Sequence, residues 1–261
     1  MKITQLRNAT IVIEVGVNVI LVDPMLAPKE AIPSLKYFTG NNRRNPLVEM
    51  PAVTDEILSR VTHCLITHCQ KGHFDHLDRA GTKWLRENKI PVFCSEQDSE
   101  FLKKKGLEVH TLAAETGNSF LSGTIDLVPC LHGKGIIGKF MAHGFGFYIQ
   151  FENEPSLYIT GDTILTDTVK NFITDNQPSW TVLPAGGARF NLGDDIIMGQ
   201  EEALQVASFS KGKIIANHLE ALDHCPVTRK SLQNEATKRK FDDRFFVPED
   251  GESIELTGNE L

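Results

Sequence analysis

The sequence of 261 residues predicts an α/β (α+β) fold of four layers, αββα, in a single domain. Short apolar runs rich in Val and Ile recur along the chain, and such runs are typical of buried strands. Several of them are followed by segments of helical length that begin at a capping residue. Because this order occurs in both halves, about 1–115 and about 116–261, two sheets packed face to face with helices outside would bury every run.

The first predicted strands precede a long loop. Residues 2–22 are predicted to form strands, and within them Ala9–Val15 and Val17–Val22 are rich in Val and Ile and are separated by a glycine turn. The second run ends at Asp23, because the proline that follows cannot continue a hydrogen-bonded ladder. Residues 29–51 show no hydrophobic period and are interrupted by prolines. They are therefore predicted to form a long surface loop, and loops of this length are often functional.

The remaining elements alternate in type along both halves. Thr54, Asp78 and Ser95 are predicted to be helix N-caps, because their side chains can accept a hydrogen bond from a free backbone N–H. The first half continues with helix Thr54–Ser59, strand Val61–Thr67, helix Asp78–Asn88, strand Pro91–Cys94 and a helix from Ser95 to Gly106. The second half has predicted strands Ile125–Cys130, Phe145–Phe151, Leu157–Thr160, Trp180–Leu183, Lys213–Ala216, Phe245–Val247 and Ser253–Leu256, and helices Glu201–Ser210 and Thr228–Lys240.

Composition limits the classes of partner. A net charge of −7 and a pI near 5.7 argue against nucleic acid, which binds to a basic surface. No apolar run approaches the roughly 20 residues of a membrane span, and Met1–Ala9 has no apolar signal core, so we expect a cytoplasmic protein that does not bind a membrane. The five cysteines form no CxxC pair, which favours reduced thiols. A homo-oligomer is compatible with this composition.

Metal-binding side chains cluster directly after predicted strands. His68, His73, Asp75 and His76 fall within nine residues after an apolar run. Imidazole nitrogens and carboxylate oxygens at this density are the ligands of divalent transition metals. Three more such side chains each follow another apolar run: His132, Asp162 and His218. Four independent occurrences after strand ends predict a metal site.

These residues resemble the metallo-β-lactamase-fold hydrolases, and within them the group similar to ascorbate-6-phosphate lactonase. The family signature is His-x-His-x-Asp-His, then a distant His, an Asp in a Gly-Asp-Thr turn and a last His. The resemblance implies that His68, His73 and His132 hold one cation, that Asp75, His76 and His218 hold a second, and that Asp162 bridges the two. It also implies that Asp23 is the buried aspartate behind the ligands. The cofactor would be two zinc ions, with manganese or iron as alternatives.

The opening signature departs from the family in its spacing. His68 and His73 are separated by four residues, whereas the first two histidines of the family are separated by one. A three-residue insertion would keep His68, His73, Asp75 and His76 as ligands. An alignment without a gap would instead place Gln70 and Gly72 at ligand positions and would weaken one metal position. The first alternative is favoured, because the second leaves the rarer pattern His-Phe-Asp-His without a role.

The resemblance implies a hydrolase that uses a metal-bound hydroxide on an ester, lactone or phosphodiester bond. Asp75 would be the catalytic proton acceptor. Arg43 and Arg44 in the long loop predict a small anionic metabolite as substrate, and His143 is a further candidate for substrate contact. Two alternatives remain: a nuclease-type phosphodiesterase, which the acidic charge disfavours, and a non-catalytic ligand-binding member with an altered metal site.

Overall fold

The computed structural model describes residues 1–36, 43–70, 72–114, 116–135, 138, 141, 144–190 and 194–258. His143 and the tip of the predicted long loop, residues 37–42, lie outside these ranges. The loop residues that are described on either side of the tip form no helix or strand and are joined by an isolated β-bridge between Ile32 and Asn45.

The first sheet has seven strands. Its strands are β1 (Lys2–Arg7), β2 (Thr10–Val15), β3 (Asn18–Val22), β4 (His63–Ile66), β5 (Val92–Ser95), β6 (Val109–Leu112) and β14 (Ser253–Glu255). The order is β14-β1-β2-β3-β4-β5-β6. The pairs from β14 to β3 are antiparallel and those from β3 to β6 are parallel. The strand nearest the end of the chain therefore completes the sheet of the first half.

The second sheet repeats this arrangement. Its strands are β7 (Asn118–Phe120), β8 (Gly123–Pro129), β9 (Phe145–Phe151), β10 (Leu157–Ile159), β11 (Trp180–Pro184), β12 (Lys213–Asn217) and β13 (Phe245–Phe246), in the order β13-β12-β11-β10-β9-β8-β7. The pairs from β7 to β10 are antiparallel and those from β10 to β13 are parallel. The carboxyl ends of the parallel strands in each sheet thus lie along a single edge.

Six helices cover the two sheets in the described part of the chain. They are α1 (Thr54–Leu58), α2 (Arg79–Glu87), α3 (Glu96–Lys104), α4 (Asp167–Asn176), α5 (Gln200–Phe209) and α6 (Arg229–Lys238). No helix among the described residues is both long and apolar enough to cross a membrane.

Alternation along the strands separates three apolar layers. In β2, Ile11 and Ile13 pack into the core between the sheets, whereas Val12 packs into the layer that also holds Leu85 of α2 and Leu102 of α3. A third layer joins the outer face of the second sheet to α4, α5 and α6. This αββα sandwich confirms the predicted fold class. All five cysteines are free and buried.

Three elements were not predicted, and one capping assignment was wrong. β6, β7 and α4 are additional to the predicted elements; α4 buries only Val169 and Ile173, so it shows no long apolar stripe. Val53, not Thr54, occupies the N-cap position of α1; Thr54 is the first helical residue, and its hydroxyl donates to the Pro51 carbonyl at 2.7 Å. Asp78 is confirmed as the N-cap of α2, since its carboxylate accepts from the Gly81 N–H.

Candidate metal centre

The loops that follow the strands of both sheets meet at one edge of the sandwich. β3 is followed by Asp23, β4 by His68, and β12 by His218. The backbones of Asp23 and His218 have positive φ, 47° and 59°, so each strand ends in a sharp turn that presents its side chain to this edge. Left-handed backbone at non-glycine residues is strained and clusters at functional sites.

The structure brings all seven predicted metal ligands together in two groups. Within each group the possible ligand atoms lie within 4.8 Å of one another, and every residue is buried. We call His68, His73 and His132 the histidine group. We call Asp75, His76, Asp162 and His218 the acidic group.

Asp162 connects the two groups. Its Oδ2 lies 3.0 Å from Nε2 of His76 and 3.4 Å from Nε2 of His218, both in the acidic group. The same oxygen lies 3.6 Å from Nε2 of His132 in the histidine group. One carboxylate is therefore within reach of both groups, as a bridging ligand would be.

His68 lies inside the histidine group despite its unusual spacing. Its ring centroid is 4.5 Å from that of His73 and 5.4 Å from that of His132. The side chain of Gln70 instead donates to the Gln97 carbonyl at the start of α3, and Gly72 forms a turn with φ 86°. The extra residues form a loop between the two histidines, which is the arrangement expected of an insertion.

Each histidine of the two groups uses its Nδ1 for a contact outside the cluster. Nδ1 of His132 donates to the Ile196 carbonyl at 2.8 Å, and Nδ1 of His73 donates to the Gln70 carbonyl. Nδ1 of His218 lies 3.5 Å from the Cys225 thiol. Such contacts fix the ring orientation and direct Nε2 towards a metal.

Asp23 supports the acidic group from behind. Its carboxylate accepts from the Thr67 N–H at 2.8 Å, from the Thr67 hydroxyl at 2.6 Å, and from Nδ1 of His76 at 2.8 Å. Asp23 therefore holds the His76 ring with Nε2 directed towards Asp162. This is the position implied for it by the family resemblance.

The donor set fits divalent cations. Among the described residues, Nε2 of His68 and Nε2 of His73 are buried and have no hydrogen-bond partner. A buried polar atom without a partner is rare and costs about 1–3 kcal/mol unless water or an ion satisfies it. Two buried carboxylates and five imidazoles converge on the same volume, so the cluster is able to bind metal.

The two groups differ in electrostatics. Burial alone would raise the pKa of Asp162, but His218 and His76 more than offset it and hold that pKa well below its usual range. Burial alone would lower the pKa of His76, but Asp162 and Asp23 hold it well above its usual range. The same balance, with Asp162 the main opposing charge, raises the pKa of His218.

The histidine group shows the opposite behaviour. Burial lowers the pKa of His132 to about 4, and Asp162 opposes this only in part. Burial and the neighbouring His76 and His73 hold the pKa of His68 well below its usual range. His68 and His132 are therefore neutral at neutral pH, and their lone pairs are free to bind a cation.

A cavity of about 130 Å³ opens beside the cluster. One side of it is formed by residues of the two groups, and Asp75 contributes to that side. The other side is largely apolar. The described lining consists of His73, Asp75, His132 and Asp162, with Leu35, Gly72, Phe74, Met141, Ala188, Phe190, Ile196 and His224.

The predicted anion-binding arginines do not line this cavity. Nε of Arg44 donates to the Glu30 carbonyl at 2.7 Å, and its Nη2 donates to the Ala31 carbonyl at 2.9 Å. Arg44 thus stabilises its own loop. Arg43 is exposed on the same loop.

Sequence reasoning missed two polar residues at the site. His224 is buried in the cavity wall, and burial lowers its pKa to about 4. Asn8, in the turn between β1 and β2, lies beside His218. The Asp-His-Cys-Pro sequence around His224 was a weak signal, but Asn8 carried none, because asparagine in a turn is common.

Comparison with known proteins identifies the family. No protein-family model matches the chain. The UPF0173 protein YddR of Bacillus subtilis strain 168 is 34% identical over 259 residues, which cover 97% of this chain and 99% of YddR. A UPF0173 metal-dependent hydrolase of Flavobacterium johnsoniae is 27% identical over 261 residues, covering 98% of this chain and all of that protein, 100%.

Solved structures agree with this relationship. The isothiocyanate hydrolase from Delia radicum gut bacteria superimposes with a TM-score of 0.85 at 30% identity, covering 99% of this chain and 100% of that one. A possible metal-dependent hydrolase from Veillonella parvula gives a TM-score of 0.87 at 27% identity, covering 97% and 98%. The metallo-β-lactamase fold protein YhfI of Bacillus subtilis, with a TM-score of 0.66 at 15% identity over 97% and 98%, shares the fold. The protein is thus an enzyme of the metallo-β-lactamase fold and belongs to the UPF0173 family of metal-dependent hydrolases.

Proposed function

We propose that this hydrolase acts on a small, uncharged and largely apolar electrophile of the isothiocyanate class. The observation that carries the proposal is the lining of the cavity beside the metal-binding residues. No lysine or arginine is found among its described lining residues, whereas Leu35, Phe74, Phe190 and Ile196 supply apolar surface. Such a wall would bind an apolar substituent and would leave an anionic group without a partner.

An isothiocyanate suits this combination of surfaces. Its central carbon is electrophilic, and its substituent is small and uncharged. Addition of one water gives a thiocarbamic acid, which separates into an amine and carbonyl sulfide. The isothiocyanate hydrolase from Delia radicum gut bacteria, 30% identical to this chain, is the relative that suggests this class.

We also propose the ligand assignment. His68, His73 and His132 would hold one cation, Asp75, His76 and His218 would hold a second, and Asp162 would contact both. Imidazole and carboxylate ligands suit zinc, with manganese and iron as the alternatives. A pair of such cations supplies a water of lowered pKa and stabilises the negative charge that develops on the substrate.

The protein's own residues then have distinct tasks. Asp75 lines the cavity, and burial alone would raise its pKa, but His76 and His218 hold it below the usual range. An ionised carboxylate at this place can accept a proton from the attacking water. The apolar side chains would orient the substituent and exclude bulk water. Asp23 and the Ile196 carbonyl would hold the ligand histidines in place.

A substrate comparison tests this proposal. The metal-replete protein is assayed with benzyl isothiocyanate, with a phosphorylated lactone and with bis-p-nitrophenyl phosphate. We expect hydrolysis of the isothiocyanate in preference to both anionic compounds. The kcat/KM for the isothiocyanate should fall by at least about tenfold when Phe190 is replaced by Asp, since the carboxylate would lose hydration when an apolar substituent binds against it. Hydrolysis of the anionic ester or lactone alone would instead support the anionic metabolite predicted from sequence. A protein that retains no metal at neutral pH would contradict the entire mechanism.

A further inference from the structure

We infer that Asn8 is an additional metal ligand, which supplies its side-chain carbonyl oxygen to the cation of the acidic group. This inference rests on the proposed metal centre and extends its ligand set. Asn8 lies in the two-residue turn between β1 and β2, far in sequence from the other ligands. Its side chain is completely buried, so its amide nitrogen and its amide oxygen can find partners only inside the protein.

The first argument is the position of the amide beside a ligand nitrogen. Nδ2 of Asn8 lies 3.2 Å from Nε2 of His218, the nitrogen that faces Asp75 and Asp162 at 3.4 Å each. Two donors that share one cation at about 2.1 Å, at angles between about 90° and 110°, lie roughly 3.0–3.4 Å apart. The distance between Asn8 and His218 is therefore in the same range as the distances between possible ligand atoms of the acidic group.

The second argument is a conflict over one lone pair. Nε2 of a neutral imidazole has a single lone pair, which can accept from the Asn8 amide or bind a cation, but cannot do both. When a cation takes it, the Asn8 N–H groups would point towards positive charge. Turning the carboxamide by half a turn exchanges its nitrogen and oxygen without changing its shape, and it then presents an oxygen to the cation.

The third argument is an unsatisfied atom. Within the described ranges, Oδ1 of Asn8 is buried and has no hydrogen-bond partner. Leaving such an acceptor unpaired costs about 1–3 kcal/mol, and after the half-turn the oxygen would gain the cation as its partner. Amide carbonyl oxygens are ordinary ligands of hard and borderline cations.

The backbone holds this residue in place independently of its side chain. The Asn8 carbonyl accepts from the His218 N–H at 3.0 Å and from Nε2 of Gln5 at 2.9 Å. The φ of Asn8 is 56°, a conformation that asparagine and glycine adopt more readily than other residues. Asn8→Gly therefore removes the amide while keeping the turn, and Asn8→Asp keeps an oxygen donor at the same place.

Metal affinity of these two variants tests the inference. Zinc binding to wild-type protein, Asn8→Gly and Asn8→Asp is titrated against a chelator, and the absorption spectrum of each Co2+-substituted protein is recorded as a measure of coordination. We expect Asn8→Gly to lose at least about tenfold in affinity for one of the two zinc ions and to change the cobalt spectrum. Asn8→Asp is expected to retain wild-type or higher affinity. Circular dichroism verifies that both variants are folded.

Three results would overturn the inference. The first is wild-type zinc affinity and an unchanged cobalt spectrum in Asn8→Gly. The second is an equal loss in both variants, because aspartate still supplies an oxygen. The third, a wild-type protein that binds no zinc, would overturn the proposed metal centre as well, so failure of the centre is distinguishable from failure of Asn8 alone.

Discussion

The acidic group and the histidine group lie side by side but are built in different ways. The acidic group contains both carboxylates of the cluster, and its histidines have raised pKa values because Asp162 lies beside them. The histidine group contains no carboxylate of its own, and burial lowers the pKa of His68 and of His132. Two buried negative charges attract a divalent cation more strongly than neutral imidazoles do. We therefore expect the acidic group to bind its cation more tightly and the histidine group to bind a second one more weakly.

The supports of the two groups differ as well. Asp23 accepts two hydrogen bonds from Thr67, which directly follows β4, and one from His76 of the acidic group. The histidine group depends on the loop between His68 and His73, whose Cys69 thiol contacts Asp98 at 3.4 Å. A loop of this kind opens at a lower free energy than the strand ends do. The difference indicates that Asp23 and the end of β4 support the acidic group, whereas the segment between His68 and His73 supports the histidine group.

Removal of the shared carboxylate should have the largest effect. Asp162→Asn keeps the size of the side chain but removes the negative charge near both groups. We expect loss of both metal ions and at least about a 100-fold decrease in kcat/KM, because charged ligands contribute most of the affinity. Elemental analysis and steady-state kinetics measure this. The matched control is Asp175→Asn, which changes an exposed carboxylate on α4. Retention of one tightly bound ion would show that Asp162 serves a single group.

The two groups should respond differently to pH. In the metal-free protein the raised pKa values of His76 and His218 keep these side chains protonated at neutral pH, so a cation must displace their protons. Affinity at the acidic group should therefore increase with pH, by up to about tenfold per pH unit for each displaced proton. The pKa of His132 is about 4 and that of His68 lies well below its usual range, so these two ligands release no proton on metal binding between about pH 5 and pH 7. Affinity at the histidine group should therefore depend less steeply on pH.

Chelator titrations at several pH values between about 5 and 7 measure the affinity of the tighter and of the weaker cation separately. The expected result is a steep pH dependence for the tighter cation and a shallow one for the weaker cation. Equal slopes for the two cations would contradict the assignment of protons to the acidic group.

A smaller effect is expected from the support behind the acidic group. Asp23→Asn removes the charge that accepts from Nδ1 of His76 while keeping the side-chain shape. We expect about a 10- to 100-fold loss of affinity for the tighter cation, as is typical when a carboxylate behind a ligand histidine is replaced. The weaker cation should be unaffected. Chelator titration beside Asp175→Asn measures this, and a loss confined to the weaker cation would contradict the pairing of Asp23 with the acidic group.

The smallest effect should come from the loop of the histidine group. Gly72 has φ 86°, and a methyl group placed on it would meet no atom within 4 Å, so Gly72→Ala changes only the backbone preference. The strain should cost about 1 kcal/mol and should reduce the affinity of the weaker cation by only a few-fold. Gly258→Ala, also in open space but without positive φ, is the matched control. If Gly72→Ala weakened the tighter cation instead, the loop would support the other group.

The sequence predicted the layers of the fold and the seven side chains that the structure brings together, because both depend on local patterns. β4 and β12 each contain an apolar run, and a candidate ligand, His68 or His218, follows each strand within two residues. α4 was missed because Thr166 caps a helix that buries only two apolar residues. A helix of this kind leaves no periodic stripe in the sequence.

The parts that escaped prediction depend on contacts between distant segments. Asn8 contacts His218, which lies 210 residues later in the sequence, and no local pattern predicts such a contact. Arg44 was predicted to contact an anion because it is a basic residue in a loop of an acidic chain. Its guanidinium instead donates hydrogen bonds to two backbone carbonyls. The apolar side of the cavity joins Leu35, Phe74 and Phe190 from three separate loops, so its character could be recognised only after folding.

The burial of every cysteine would protect the enzyme from modification by the isothiocyanate substrate proposed for it. Isothiocyanates add to thiols to form dithiocarbamates, and the reactive form of the thiol is the thiolate. Burial raises the pKa of all five thiols in this protein, including Cys94, whose pKa rises to about 12. Even Cys69, which follows His68 in the sequence, and Cys225, whose thiol lies 3.5 Å from Nδ1 of His218, are thus kept as unreactive thiols. An enzyme that hydrolyses isothiocyanates would in this way avoid inactivation by its own substrate.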